Sequence, residues 1–544
     1  MSKNQKIKQT ILRSIPYLLA FLILLPRLLS PQFGFFDDAA TLSQAQSFLN
    51  GDFSMGIDMQ AGRFRPVYWL YYTLIYVFAG YHPFWYYLGN LALLFILLIE
   101  IRQLIKQLGG AEWQVLLISC LFLFSMPIVE NFYTLSKGEP LQLILLLGAI
   151  LLLRPKPADR PGKLWGRSIL AALLFLLAIM VKETAIIIVP LAILWALYPM
   201  LSKDNGLKKD LPNYWHLAAG ASLSVAVFFI ARRVFQATSL LGGTYTKRYM
   251  FDLSDMLERI LRWVTQYTFY FLFTVPIILL LIWFIIKKIQ VDESLKFNLF
   301  RWGSWCVLWF VIYIPWEYAK TYYLLPFALG IAMILGLSIP TVIKQIKEFK
   351  LSSRLVTIIL VVLTGILYLI TIPNYITNAR VQLAFDKAND EMLSYVINDT
   401  PANAEILLNI ETYKEYTEKI GEYIYDHHHR DDIVFLNIDQ ELMERVNEYQ
   451  QAYVLVPIID SQPELTVRAG VIETYQDVWD QNFFDKTKGH RIFLVSFEES
   501  FRLSNINLPV VLCQFGLDAG FCQNPDKVID FRPFSYRWEI YQIQ

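Results

Sequence analysis

The chain has 544 residues, of which 55% are hydrophobic and 17% charged, and its net charge is +1. Apolar stretches near the roughly 20 residues a helix needs to cross a bilayer recur through the first two thirds, which excludes an ordinary soluble enzyme and makes the chain a polytopic membrane protein. The near-neutral total conceals an asymmetry: residues 373–544 hold 14 Lys+Arg against 28 Asp+Glu, and residues 1–372 hold 34 against 19. The tail is therefore an acidic, water-soluble unit, unsuited to nucleic acid or anionic lipid.

Hydropathy predicts about eleven spans, near residues 11–30, 84–104, 113–129, 139–153, 168–182, 184–201, 214–235, 264–286, 302–316, 322–340 and 355–372. The first has no small-residue cleavage site after its apolar run and reads as a retained signal-anchor. Basic residues concentrate in Arg154–Arg167 and Lys344–Arg354. The positive-inside rule then predicts a cytoplasmic N-terminus, with the first loop and the tail outside. The expected domains are a transmembrane unit over 1–372, its first outer loop at 31–83, and an extracytoplasmic unit over 373–544.

That first loop is long and patterned. Leu42, Ala45, Phe48 and Leu49 recur at helical spacing, and Tyr68-Trp69-Leu70-Tyr71-Tyr72 begins a second, aromatic helix after Arg65-Pro66. Both suit the membrane interface. From Ala404 onward, the apolar runs Ile406–Ile410, Ile433–Leu436, Tyr453–Ile458 and Ile492–Phe497 alternate with helix-like stretches. A small α/β domain is expected there.

The chemistry-bearing residues gather at predicted span ends. Asp37 and Asp38 follow the first span. A carboxylate there can deprotonate a hydroxyl, its pKa raised by its neighbour, or it can cap the helix that follows. Arg63 and Arg65 close the same loop ahead of Pro66, as a phosphate fork or as headgroup contacts. Lys137 with Glu139, Lys182 with Glu183, and Glu317 with Lys320 before Tyr322-Tyr323 form a second set on the same predicted side. Ionisable groups at membrane depth are costly and face polar cavities, unless they snorkel to the interface.

Cys120 and Cys306 lie in spans as apolar filler, whereas Cys513 and Cys522 are close enough in the tail for a disulfide loop if the tail is outside. The run His427-His428-His429 reads as an exposed helix end, because consecutive histidines diverge on any regular backbone. The acidic pair has donors for one divalent cation, and nothing else in the sequence specifies a metal or cofactor. Phosphate-loop, GxGxxG, CxxC, HExxH and nucleophile-elbow patterns are absent.

Four stretches act together: Phe36-Asp37-Asp38; Arg63-Phe64-Arg65-Pro66 running through Gly80-Tyr81-His82-Pro83 to Asn90; Ser136-Lys137-Gly138-Glu139-Pro140; and Val181-Lys182-Glu183-Thr184. In order and sidedness they resemble the GT-C superfamily of integral-membrane glycosyltransferases, in its protein O-mannosyltransferase-like and lipid-A aminoarabinose transferase-like branches, over roughly residues 10–375. The resemblance implies a mainly α, polytopic bundle and inverting transfer of a sugar from a polyprenyl-phosphate donor to an acceptor hydroxyl on the extracytoplasmic face. It implies Asp37 as general base with Asp38 beside it. Arg63, Arg65, Lys182, Lys320 and Tyr322 would meet the donor phosphate, and Lys137, Glu139, Glu183 and Glu317 would line the cavity. One departure stands out: Lys137-Gly138 falls where related enzymes more often carry a small residue before Arg. Two other classes fit the composition. A flippase for lipid-linked sugars would spread its polar groups over the midplane. A non-catalytic GT-C-like envelope assembly protein would act through its tail.

Overall fold

The computed structural model describes residues 3–34, 38–53, 58, 63–153, 161–202, 208, 211–235, 249, 251–266, 293–316, 320–348, 372, 375–376, 379–380, 382–408, 421–437, 452–459, 490–499 and 534–542. The chain is mainly helical. In order run α1 (Lys3–Leu29), α2 (Asp38–Leu49), α3 (Pro66–Ala79), α4 (Pro83–Gln107), α5 (Glu112–Leu123), α6 (Met126–Phe132), α7 (Glu139–Leu152), α8 (Pro161–Val181), α9 (Ile188–Leu201), α10 (Leu211–Val234), α11 (Leu253–Gln266), α12 (Glu293–Val311) and α13 (Leu325–Glu348). A helix over 382–398, α14, opens the tail.

Among the described residues, five helical segments are long and apolar enough to cross a membrane: Gln9–Leu29, Pro83–Gln107, Glu183–Leu201, Leu211–Val234 and Thr321–Ile339. The pair α5 and α6 makes a sixth if it is one span, bent by 67°. The bend has a local cause. Pro127 sits in the first turn of α6 and cannot continue the hydrogen-bond ladder of α5, and the Ser125 hydroxyl takes the Phe122 carbonyl at 2.7 Å. Helices Glu139–Leu152 and Trp165–Val181 are apolar but shorter. The expected spans 264–286 and 355–372 fall largely outside the described residues.

Proline sets where several helices begin. Pro66, Pro83, Pro127 and Pro140 all occupy a first turn, where the missing N–H has no intrahelical acceptor to lose. The two helices expected in the first loop form as α2 and α3, which pack on one another. Leu42 and Ala45 are buried, and Leu49 is half exposed.

Helix α13 is the wedge of the bundle, packed against α12 on one side and α5 on the other. Glycine makes this closeness achievable. A Cβ on Gly336 would lie 2.1 Å from Ile118 Cγ1, and one on Gly330 would lie 2.4 Å from Cys306 Sγ. Close backbone approach through small residues substitutes for the hydrophobic drive that lipid does not supply. Gly336→Ala should therefore destabilise the bundle by about 1–3 kcal/mol, the usual penalty of overpacking. Thermal unfolding in detergent reads this loss. A second change, Ile118→Ala, should be less harmful in the Gly336→Ala background than in wild type, because it opens the space the new methyl needs.

The tail holds a five-stranded sheet in the order β2-β1-β3-β5-β4, with β1 (Glu405–Leu408), β2 (Val434–Asn437), β3 (Ala452–Ile459), β4 (His490–Glu499) and β5 (Phe534–Gln542). Strand β1 runs parallel to β2 and β3, whereas β5 is antiparallel to β3 and β4. The first four strands overlie the four apolar runs. The fifth was not expected: its residues Tyr536, Trp538 and Ile540 alternate with Ser535, Arg537 and Glu539, a period-2 signal hidden by its charges. Trp538 and Ile540 are fully buried. Cys513 and Cys522 lie outside the described residues.

Contacts seat the tail on the first loop. His427, at the end of a π-helical turn over Glu422–His427, stacks on Tyr81 with ring centroids 4.5 Å apart. The Tyr423 hydroxyl donates to the Gly34 carbonyl at 2.7 Å. The histidine run is thus part of the docking contact as well as a helix end: His428, though exposed, meets the same Tyr81 ring edge-on at 5.6 Å, and His429 is exposed.

Candidate active site

At one end of the bundle the helices break, and the charged residues collect at the breaks. Between α1 and α2 lies the acidic loop; Arg63-Phe64-Arg65 precedes α3; residues 133–138 join α6 to α7; Lys182 separates α8 from a 3-10 turn over Glu183–Ile187; and Lys320 precedes another over Thr321–Leu324. A broken helix exposes unpaired amides and carbonyls, so it must face protein or a polar cavity, and such a cavity also tolerates charge. Asp38, Asp58, Arg65, Glu130, Lys137, Glu139 and Lys182 are all buried there.

Asp38 begins α2 and is fully buried. One carboxylate oxygen accepts the Gly34 N–H at 2.5 Å, and the other accepts the Ser136 hydroxyl at 3.2 Å. Ser136 also meets Thr41 Oγ1 at 2.6 Å, and its N–H donates to the Tyr72 hydroxyl at 2.8 Å. Its φ of 63° is a left-handed conformation that a serine adopts at a cost. Strain of this kind persists where surrounding contacts hold it, and such places are often functional. The loop that follows α6 is thereby fastened to the acidic loop. Asp37 lies outside the described residues, as does Glu317.

The arginine pair is organised by a carboxylate that sequence reasoning missed. Asp58 accepts from Arg65 Nε at 2.9 Å and from Arg65 Nη2 at 2.7 and 2.6 Å, and it also accepts Trp69 Nε1 at 2.8 Å. The Arg65 guanidinium lies over the Tyr68 ring at 4.4 Å. Such a fork, held on one edge and stacked on its face, is fixed in place. Arg63 approaches the same carboxylate at 3.6 Å and its side chain is more exposed than that of Arg65. Glu183 reaches across to accept the Phe64 N–H at 2.9 Å, tying the arginine segment to the break after α8.

Lys182 forms an ion pair with Glu139, both nearly inaccessible. Its ammonium faces Tyr323 at 4.4 Å and Tyr322 at 5.3 Å, while Lys137 lies over Tyr322 at 4.2 Å. Tyr313 stacks on Tyr323 at 4.7 Å and donates to Thr184 Oγ1 at 3.2 Å. Gln142 donates to the Lys182 carbonyl at 2.7 Å and so holds the break itself. The two ammonium groups share an aromatic frame with the Glu139 carboxylate, a low-dielectric setting in which each charge interaction is stronger than in water.

Glu130 was also missed. It is buried, accepts the Thr321 hydroxyl, and feels the charges of Lys137 and Lys320. The neighbouring Asn131 donates to the Tyr322 carbonyl at 3.1 Å. Helix α6 therefore positions the Lys320–Leu324 segment. The sequence signal was the polar pair Glu130-Asn131 directly after the apolar run 113–129. No comparable local signal marks Asp58, whose role depends on a partner seven positions on. Among the described residues, no group of three or more His, Cys, Asp or Glu side chains is placed to hold a metal ion. Outside the spans, burial and the nearby carboxylates of Asp390 and Asp38 push the Tyr81 phenol well above its ordinary range.

No protein-family model matches the sequence, and no curated protein matches it. Solved structures do match by shape. The Archaeoglobus fulgidus oligosaccharyltransferase, tethered with an acceptor peptide containing the NVT sequon, aligns over 84% of this chain and 70% of its own, with a TM-score of 0.51 and 12% identity. Its apo form gives 0.50 and 11% over the same shares. ArnT from Cupriavidus metallidurans, bound to undecaprenyl phosphate, aligns over 98% of both chains with a TM-score of 0.46 and 10% identity. The oligosaccharyltransferase and ArnT are both GT-C glycosyltransferases. At these identities the likeness concerns shape alone: this chain shares the fold of the Archaeoglobus fulgidus oligosaccharyltransferase.

Proposed function

We propose that the protein is a membrane glycosyltransferase that moves a sugar from a polyprenyl-phosphate donor to an acceptor hydroxyl on the extracytoplasmic face, with inversion. One observation carries this reading: buried charges of both signs meet at helix breaks on the end of the bundle where the acidic loop lies. A flippase would instead need polar groups along the bilayer midplane.

In this reading the lipid tail stays among the helices and the sugar phosphate enters the polar end. Asp37 takes the proton of the acceptor hydroxyl as its oxygen attacks the anomeric carbon from the face opposite the phosphate. The new C–O bond forms while the bond from that carbon to the phosphate oxygen breaks, and the electron pair leaves with the polyprenyl phosphate. Arg63, Lys137, Lys182 and Lys320 stabilise the charge developing on the leaving group. Arg65, clamped by Asp58, presents the segment that carries Arg63. Asp38 ties Gly34 to Ser136 beside the acidic pair.

The test is a transfer assay on the purified protein in lipid vesicles, with a panel of polyprenyl-phosphate sugars and membrane extract as acceptor. Sugar should appear in the acceptor with at least one donor. Protein-dependent movement of the donor across the vesicle without transfer would overturn the proposal in favour of a flippase. The same assay run with and without EDTA reads any divalent-cation requirement of the acidic pair.

A further inference from the structure

We propose that the tail is part of the catalytic apparatus: Tyr423 and Asp386 are positioning residues that hold residues 31–34 and, through the Gly34 N–H, Asp38. The proposal deepens the glycosyltransferase reading and rests on it for its catalytic part.

Residues 31–34, between α1 and the acidic pair, form neither helix nor strand, so their placement depends on what their backbone groups bind. The Gly34 carbonyl accepts the Tyr423 hydroxyl at 2.7 Å, and the Gly34 N–H donates to Asp38. A single peptide segment thus joins a tail hydroxyl on one side to an acidic-pair carboxylate on the other. Two residues earlier, the Gln32 carbonyl accepts both Arg27 Nη2 at 2.9 Å and the Tyr87 hydroxyl at 2.8 Å. Arg27 in turn pairs with Asp386 of α14 at 2.5 Å, and both side chains are wholly inaccessible. Gln382 donates to that same Asp386 oxygen at 2.9 Å. Helix α14 is itself fixed to the sheet, where Trp538 Nε1 donates to Asn389 Oδ1 at 2.8 Å. The tail therefore reaches the loop from two separate elements.

A buried ion pair 359 positions apart in sequence is a poor device for stability, because desolvation consumes most of its Coulombic gain. It is a good device for placement. The same docking brings Asp386 to Arg27 Nη2 and the Tyr423 hydroxyl to the Gly34 carbonyl, so both contacts fix where the tail rests on residues 31–34. Phe33 adds a packing contact in the same place, against Tyr81 at 4.8 Å, the ring on which His427 stacks.

The experiment compares wild type, Tyr423→Phe, Asp386→Asn and Tyr425→Phe as full-length proteins in lipid. The last is a control, since the Tyr425 hydroxyl donates at 2.9 Å to Ile433, inside the tail. Hydrogen exchange of peptides covering residues 31–40 should quicken about tenfold in Tyr423→Phe, the order expected for one lost buried hydrogen bond. Asp386→Asn should quicken it further, and Tyr425→Phe should leave it unchanged. In the transfer assay, kcat should fall in the first two variants while KM for the donor and the Tm of Tyr423→Phe stay at wild-type values. Unchanged exchange over 31–40 in Tyr423→Phe would overturn the proposal, as would quickened exchange with unaltered kcat. If Asp386→Asn does not fold, Tyr423→Phe decides alone. If wild type transfers no sugar from any donor, the glycosyltransferase reading fails, and the exchange measurement still decides whether the tail holds the loop.

Discussion

Asp37→Asn is expected to reduce sugar transfer by about 10²–10⁴-fold, the range a positioned general base contributes. The substitution removes the proposed proton acceptor and keeps the size and shape of the side chain, so expression, Tm and KM for the donor should remain at wild-type values. Initial rates over a donor titration separate the two parameters, and a loss confined to kcat identifies an interaction made in the transition state. Near-normal turnover would transfer the role of base to another group. Asp38→Asn makes the informative contrast. Asp38 accepts hydrogen bonds from Gly34 and Ser136, so its variant should lose loop order as well as rate.

The second large effect concerns the Lys182–Glu139 pair. Glu139→Gln leaves the Lys182 ammonium in a site where little solvent reaches it. Removing one partner of a buried pair typically lowers stability by about 3–5 kcal/mol, because the remaining charge is uncompensated. The double variant Lys182→Met with Glu139→Leu should regain most of that loss, since two apolar side chains of similar volume replace two desolvated ions. It should nevertheless raise KM for the polyprenyl-phosphate donor, because the cation facing Tyr322 and Tyr323 is gone. Denaturation in detergent measures the first effect and donor titration the second. A double variant with restored stability and unchanged KM would make the pair a structural strut and nothing more.

The two variants test different parts of one arrangement. The acidic loop and the lysine–tyrosine patch come from distant parts of the chain, yet Ser136 bonds Asp38 while its neighbour Lys137 lies over Tyr322. Two consecutive residues thus join the proposed base region to the proposed phosphate region. The left-handed φ of Ser136 turns the chain between these duties.

Much of this was legible from sequence. A run of apolar residues must avoid water whatever its neighbours, so the membrane class followed from composition, and most helices followed from apolar length. The residues that gather at the site were legible too, because ionisable side chains beside apolar spans are costly enough to need a reason. Asp38, Arg63, Arg65, Lys137, Glu139, Lys182, Glu183, Lys320 and Tyr322 all lie at the breaks between helices on one end of the bundle.

Partnership was not legible. Arg65 and Arg63 look equivalent in sequence, but Asp58 takes the fork of one and only approaches the other. Glu130 and Thr321 are 191 positions apart, and Arg27 and Asp386 are 359 apart. The tail reads as an appendage in sequence because acidic, soluble composition says nothing of where a domain docks. Hydropathy signals are local, decided by a residue and its near neighbours, so the chain alone determined most of its apolar helices and its candidate charges, while only five or six of the eleven expected spans are long and apolar enough to cross a membrane among the described residues. Hydrogen bonds and ion pairs between remote segments depend on how helices cross and where a soluble domain comes to rest. Only the tertiary structure decided which carboxylate holds which cation, and that the tail meets Gly34 and Arg27.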